Sequence, residues 1–306
     1  DSRIDSTFSV EIISEVQMPE GSVSIFPCDT FELEEILTDP RIKIFSYTGD
    51  VDTGWHLRSK AKNKKAILET GGIAIAVIDE KSDLELAAQK CVRGAFTDSG
   101  QMYLSLQTIL VHNEVYSQFV SEMMKQVQTI RVGDPDHEKT DVGPLIDEET
   151  ADGTMAIIDE AISKGAKLLA GGKRDGNLVY PTILVKTTPE MKIGSQICFG
   201  PVVSISTFSK ISEAIHFINN IQFAVQVGIF SKEVDRIFTF FNSFDIGSMI
   251  VNDIPTFRAD HVPYGGFKRF GLGKEGVRYN IEALMENKIL ILNFDQVKDW
   301  KGISDE

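Results

Sequence analysis

Strand-like apolar runs alternate with helical stripes along almost the whole chain, and this alternation limits the fold more than any other feature. Residues 42–47, 66–68, 73–78 and 106–111 read as strands, as do 167–169, 202–205, 227–230 and 248–251. The short run 23–26, stopped by Pro27, reads as a further strand. Between them lie helical patterns at 33–37, 53–61, 84–96, 115–128, 148–164, 211–219 and 234–244, with Gly165 placed to end the fifth. Phe8, Ile12, Ile13 and Val16 form another helical stripe. Strands separated by helices do not pair as hairpins. They predict an α/β fold around a mostly parallel sheet with both faces covered. No internal repeat or low-complexity segment interrupts the pattern.

The chain's 306 residues, 42% of them hydrophobic, suffice for a large core and more than one domain. Its formal charge of −14 disfavours nucleic acid and anionic membrane surfaces as partners. No run approaches the roughly 18 apolar residues that a membrane span needs. Cys28, Cys91 and Cys198 are odd in number and far apart, which argues for a reducing, intracellular compartment such as the cytoplasm or an organelle matrix. No CxxC, HExxH or acidic calcium-loop pattern supports a metal site.

Several short strings recur in fixed order: Tyr47-Thr-Gly-Asp50, Leu68-Glu-Thr-Gly-Gly72, Gly100-Gln-Met-Tyr103, Gly143-Pro-Leu-Ile146, Phe199-Gly-Pro201, Pro263-Tyr-Gly-Gly-Phe-Lys268 and Gly271-Leu-Gly-Lys-Glu-Gly276. Together they resemble the aldehyde dehydrogenase superfamily from about Pro19 to Phe294. The run Asp253-Ile-Pro-Thr-Phe-Arg258 is similar to the branch that includes archaeal lactaldehyde dehydrogenases. The resemblance implies a partial Rossmann-like cofactor domain over residues 1–70 and a parallel-sheet catalytic domain over 71–279. It also implies a C-terminal return segment with an arm strand over 280–306. The family's upstream section, with its oxyanion-stabilising asparagine, has no counterpart in the sequence.

The resemblance places Glu69 at the family's general base and Tyr103 at the nucleophilic cysteine. A cysteine suits that position because some thiolate exists near neutral pH. A phenol, with a reference pKa of about 10, is mostly neutral there and forms no hydrolysable thioester. Asp50 stands where the family usually has a serine near the cofactor pyrophosphate, and its carboxylate would repel phosphate. As a helix N-cap it has a simpler structural use. Ile197 replaces the glutamate that holds the nicotinamide ribose, while Phe199 is retained. Cys198, beside Ile197 and Phe199, reads as a small buried apolar group.

These substitutions predict a catalytically inactive homologue that serves as a structural, assembly or regulatory subunit and binds no cofactor. Glu69 would then be a relic. The alternative is NAD(P)-dependent aldehyde oxidoreductase activity, weak or completed by another chain. The apolar run 288–294, opened by Lys288 and closed by Phe294, is similar to the family's arm strand. It predicts a homo- or hetero-oligomer, because an unpaired apolar strand is a liability.

Overall fold

A computed structural model describes residues 11–16, 18–222, 226–259 and 261–293. In chain order the strands are β1 (Ile44–Gly49), β2 (Lys65–Thr70), β3 (Ala74–Ile78), β4 (Leu106–His112), β5 (Lys167–Ala170), β6 (Arg174–Asp175), β7 (Leu178–Val179), β8 (Thr182–Val185), β9 (Val202–Phe208), β10 (Gln226–Phe230), β11 (Ser248–Val251) and β12 (Gly271–Leu272). The helices are α1 (Thr30–Thr38), α2 (Val51–Lys60), α3 (Leu84–Phe96), α4 (Tyr116–Val127), α5 (Glu148–Ser163), α6 (Lys192–Ser195), α7 (Ile211–Asn220), α8 (Val234–Ser243) and α9 (Val277–Leu284).

The fold is α/β, as the alternation predicts. Seven strands form one sheet in the order β11-β10-β3-β4-β9-β8-β5, parallel except where β5 runs against β8. Successive side chains on a strand point to opposite faces, and both faces are apolar. Ala76, Ile78, Ile109, Val111, Val203 and Ile205 join one core with α3 and α4. Ile75, Val77, Leu110, Val227 and Ile229 join a second core with α7 and α8. Each large side chain among them contributes roughly 1.5–3 kcal/mol on burial, which is why the sheet centre reads as solid apolar runs. Asp83 starts α3 by accepting the amide of Leu86. Gly165, at φ 103°, follows α5 in a conformation that glycine adopts without strain.

A smaller sheet carries β1, β2 and β12 in the order β1-β2-β12. β1 and β2 are parallel, and β12 returns antiparallel to β2. Leu37, Phe45, Leu57 and Leu68 pack it against α1 and α2. Among the described residues no helix is long and apolar enough to cross a membrane.

Two expected strands are not formed in the single chain. Among the described residues, 23–26 have no strand partner, and Val23, Ile25 and Phe26 are exposed. Residues 288–292 likewise join no strand among the described residues, with Ile289, Leu290, Ile291 and Leu292 between 61% and 84% exposed, while Phe294 lies outside the described residues. An apolar run becomes a strand only where a neighbouring edge supplies hydrogen bonds, and neither run meets one among the described residues. The stripe residue Phe8 lies outside the described residues, but Ile12 and Ile13 are helical.

Candidate active site

The small sheet delivers its residues to one crevice. β1 ends at Gly49, and Asp50 caps α2 through Oδ1, which accepts the Thr53 amide at 2.8 Å. Glu69 sits on β2 between Thr48 of β1 and Gly271 of β12. Gly271 is the residue that permits this closeness: a Cβ there would lie 2.0 Å from the Leu68 carbonyl oxygen. The Gly71-Gly72 link leads from β2 to β3, and the Gly72 amide donates to the Tyr103 carbonyl at 3.2 Å.

Tyr103 belongs to a tight loop between α3 and β4. Asp98, Ser99 and Gly100 have φ of 53°, 54° and 73°, three left-handed residues in a row. For Asp98 and Ser99 that conformation costs about 1–3 kcal/mol each, so the surroundings must hold it. They do so through the sequence string at 143–146. Ser99 Oγ donates to the Gly143 carbonyl at 2.9 Å and accepts its amide at 3.0 Å. Gln101 Oε1 accepts the Ile146 amide at 2.9 Å. Gly100 lies so close to the turn before β9 that a Cβ would stand 2.2 Å from the Gly200 carbonyl oxygen. The contact sets Tyr103 and Phe199 beside one another.

The result is a cavity of about 540 Å³ lined by Asp50, Glu69, Gly71, Met102, Tyr103 and Phe199, among others. A larger cavity of about 630 Å³, near Glu213, His216 and Phe217, holds none of the expected site residues. The smaller one is therefore the candidate site. Ile197 is not part of its lining. It stands behind Gly71, where a Cβ would come 3.0 Å from Ile197 Cδ1 and 3.3 Å from Phe199 Cζ. Cys198 is buried among Ile158, Leu184 and Val202, and burial pushes its thiol up to about 12, so it offers no thiolate.

Beyond Tyr103 lies a set of residues whose strings the sequence shows but whose relation to Tyr103 it does not. Arg258 Nη1 donates to the Tyr103 hydroxyl at 3.1 Å. The same guanidinium pairs with Glu275 and covers the ring of Tyr264, its Cζ 5.0 Å from the centroid. Tyr103 and Tyr264 meet edge to face with centroids 6.3 Å apart. The Tyr264 hydroxyl is buried and has no hydrogen-bond partner among the described residues. Burial, with the facing Tyr103 adding to it, raises that phenol well above its usual range. Burial also raises the Glu275 carboxyl. Arg258 is 155 residues from Tyr103, and the run Asp253 to Arg258 signals a branch of the family rather than a role.

Apolar surface predominates in the cavity, which suits the flat face of the nicotinamide ring of a dinucleotide. The phosphate end is fitted less favourably, because the Asp50 carboxylate already occupies the N-terminus of α2. Among the described residues no cluster of His, Cys, Asp and Glu could hold a metal ion.

The aldehyde dehydrogenase family pattern matches residues 3–290. The chain belongs to the aldehyde dehydrogenase family. It is 36% identical over 284 residues to a 3-sulfolactaldehyde dehydrogenase of Priestia megaterium, covering 92% of this chain and 60% of that protein. It is 36% identical over 261 residues to a lactaldehyde dehydrogenase of Methanococcus vannielii, covering 85% of this chain and 56% of that one. Among solved structures, the NADP-dependent glyceraldehyde-3-phosphate dehydrogenase of Bacillus halodurans, complexed with NADP, superposes with a TM-score of 0.89 at 32% identity. That match covers 93% of this chain and 60% of the other. The chain thus spans about 60% of the length of these relatives.

These relatives overturn the expectation of an inactive homologue. They are named as dehydrogenases, and a solved one holds NADP. The expectation of no cofactor fails with it. The substituted position Tyr103 still shares one cavity with Glu69 and Phe199.

Proposed function

We propose that this aldehyde dehydrogenase-family chain is an NAD(P)-dependent aldehyde oxidoreductase, working slowly or completed by another chain. The observation that carries the reading is the cavity at the ends of β1 and β2, where Glu69, Phe199 and the Tyr103 loop meet around Gly71. Open α/β sheets bind their ligands in such a crevice. A nicotinamide bound there would supply a hydride acceptor or donor. Small polar aldehydes are the substrate class, in keeping with the lactaldehyde and 3-sulfolactaldehyde of the relatives' names.

Without a cysteine, oxidation can proceed on the hydrated aldehyde. Glu69 takes a proton from one hydroxyl of the hydrate, the hydrogen on carbon leaves as hydride, and the carbon becomes a carboxylic acid. No acyl-enzyme is formed. The Asp50 carboxylate at the start of α2 would weaken phosphate binding, so turnover would be slow at ordinary nucleotide concentrations. Residues 1–70 serve the cofactor side and 71–279 the catalytic side, with 280–306 as the return segment. The exposed run at 289–292 supports assembly through the strand from Lys288 to Phe294, with a second copy or a longer relative. The free thiols at Cys91 and Cys198 suit a reducing compartment.

The test is titration of the purified chain with NADP and NADPH, followed by absorbance at the reduced-nicotinamide band with a panel of short aldehydes. Saturable, nucleotide-dependent oxidation that falls at least about 100-fold in Glu69→Gln supports the reading. Absence of nucleotide binding by the chain, alone and with a full-length relative, overturns it.

A further inference from the structure

The proposed oxidation on Glu69 makes no use of the phenol that stands in place of the thiol, nor of the guanidinium that holds it. From the hydrogen bond between Arg258 and Tyr103, beside the unpartnered Tyr264 hydroxyl, we infer that Tyr103 is the proton donor of an aldehyde reduction. This inference rests on the nicotinamide-dependent reading above and adds a direction to it.

Three observations support the assignment. Tyr103 lines the same cavity as Glu69 and Phe199, so it touches whatever binds there. Its oxygen already accepts a hydrogen bond from Arg258 Nη1 at 3.1 Å, which leaves the phenolic proton as the group it can offer. The guanidinium thereby fixes the orientation of the hydroxyl at the cavity wall. Tyr264, buried edge to face against Tyr103, carries a second hydroxyl without a partner among the described residues. Tyr264 is not in the cavity lining and stands behind Tyr103. Glu275 pairs with Arg258 and holds it over the Tyr264 ring.

A neutral phenol is a poor nucleophile near pH 7 but a competent acid. The carbonyl carbon of the aldehyde accepts a hydride from a reduced nicotinamide and is reduced, and the nicotinamide is oxidised. The carbonyl π pair passes to oxygen, which takes the proton from Tyr103, and a primary alcohol is released. Water returns a proton to the phenolate. Arg258 acts through Tyr103 and is a positioning residue.

The experiment uses the full chain with NADPH and two aldehydes, glycolaldehyde and butyraldehyde. Wild type is expected to consume NADPH and form the alcohol. Tyr103→Phe is expected to lower that rate at least about 100-fold while NADPH binding, read by fluorescence, is unchanged. A readout independent of turnover is calorimetric binding of butyramide, whose carbonyl accepts a hydrogen bond and cannot be reduced. It is expected to weaken about tenfold in Tyr103→Phe. Arg258→Lys is expected to retain part of the activity and Arg258→Met to lose it, with both variants folded by circular dichroism and binding NADPH as wild type does. Tyr103→Cys is expected to lose reduction while the oxidation on Glu69 persists or rises. If NADPH binds but reduction and butyramide binding are the same in Tyr103→Phe, the proton-donor assignment is overturned and the oxidoreductase reading stands. If no nucleotide binds, both fall together.

Discussion

The α-carbon of Gly100 faces the carbonyl oxygen of Gly200 so closely that a methyl group would stand 2.2 Å away. Two loops, one carrying Tyr103 and the other Phe199, are locked by that contact. Gly100 also has φ of 73°, so both space and backbone conformation require glycine. Gly100→Ala is expected to cost roughly 2–4 kcal/mol in urea unfolding. It should also lose the 3.1 Å bond from Arg258, checked by a structure of the variant. A variant of wild-type stability would show that the loops are not locked.

Asp79 ties β3 to α8. Its side chain is fully buried, Arg236 Nε donates to Oδ2 at 2.8 Å, and Ser231 Oγ donates to the same oxygen at 2.8 Å. Burial by itself raises the carboxyl, but Arg236 and Ser231 outweigh it and leave it below its usual value. A carboxyl with a depressed native pKa stabilises the fold above its unfolded pKa, and that share is lost as pH falls through the native value. Stability should therefore decline below about pH 4 as Asp79 protonates. Arg236→Met, which leaves the buried carboxylate without its cation, is expected to cost about 3–5 kcal/mol at neutral pH and to flatten the acid limb of the stability curve.

Asp50 offers a separable test of cofactor affinity. Serine is also a good N-cap, so Asp50→Ser should change the unfolding free energy by less than about 1 kcal/mol. With the like charge gone from the start of α2, NADPH should bind about fivefold more tightly, by roughly 1 kcal/mol. An unchanged dissociation constant would mean that phosphate does not approach this helix.

The apolar run at 289–292 is solvent-exposed in the single chain. Leu290→Asp combined with Leu292→Asp removes no packed side chain, so the melting curve of the isolated chain should hardly move. The mass in solution, by light scattering at micromolar concentration, should fall to that of the monomer. A monomeric wild type would remove the case for assembly through this run.

Much of the fold is legible in the sequence because the central sheet is buried on both faces. The run from Ile73 to Ile78 has no polar residue, and β3 duly sits inside the sheet, between β10 and β4. The apolar stripe of α3 marks both its ends, since Asp83 and Thr97 flank it as capping residues. Short elements escape such reading. Thr182–Val185 follows a proline and is only four residues long, so its pattern is too brief to declare itself. The run at 288–294 has the composition of a strand, but composition carries no information about the partner a strand requires. Glu69, Tyr103 and Phe199 stand out through fixed spacing in sequence, and the cavity unites them. Arg258, Tyr264 and Glu275 also fall within such strings, but no spacing ties them to Tyr103, because that relation is purely spatial. A substitution in sequence also overstates its effect when its place is unknown: Ile197 lies behind the wall of the cavity, so its loss of polarity bears less directly on the space a ligand would occupy.

Glu69 is flanked by Thr48 on one side and Gly271 on the other, strands separated by most of the chain's length. β1 and β2 are neighbours along the chain, but β2 lacks its second partner until Gly271 and Leu272 dock against it. A chain cut short before Gly271 should therefore hold a folded seven-stranded core beside an incomplete small sheet. Ligand capture would then report the docking of β12 rather than collapse of the core.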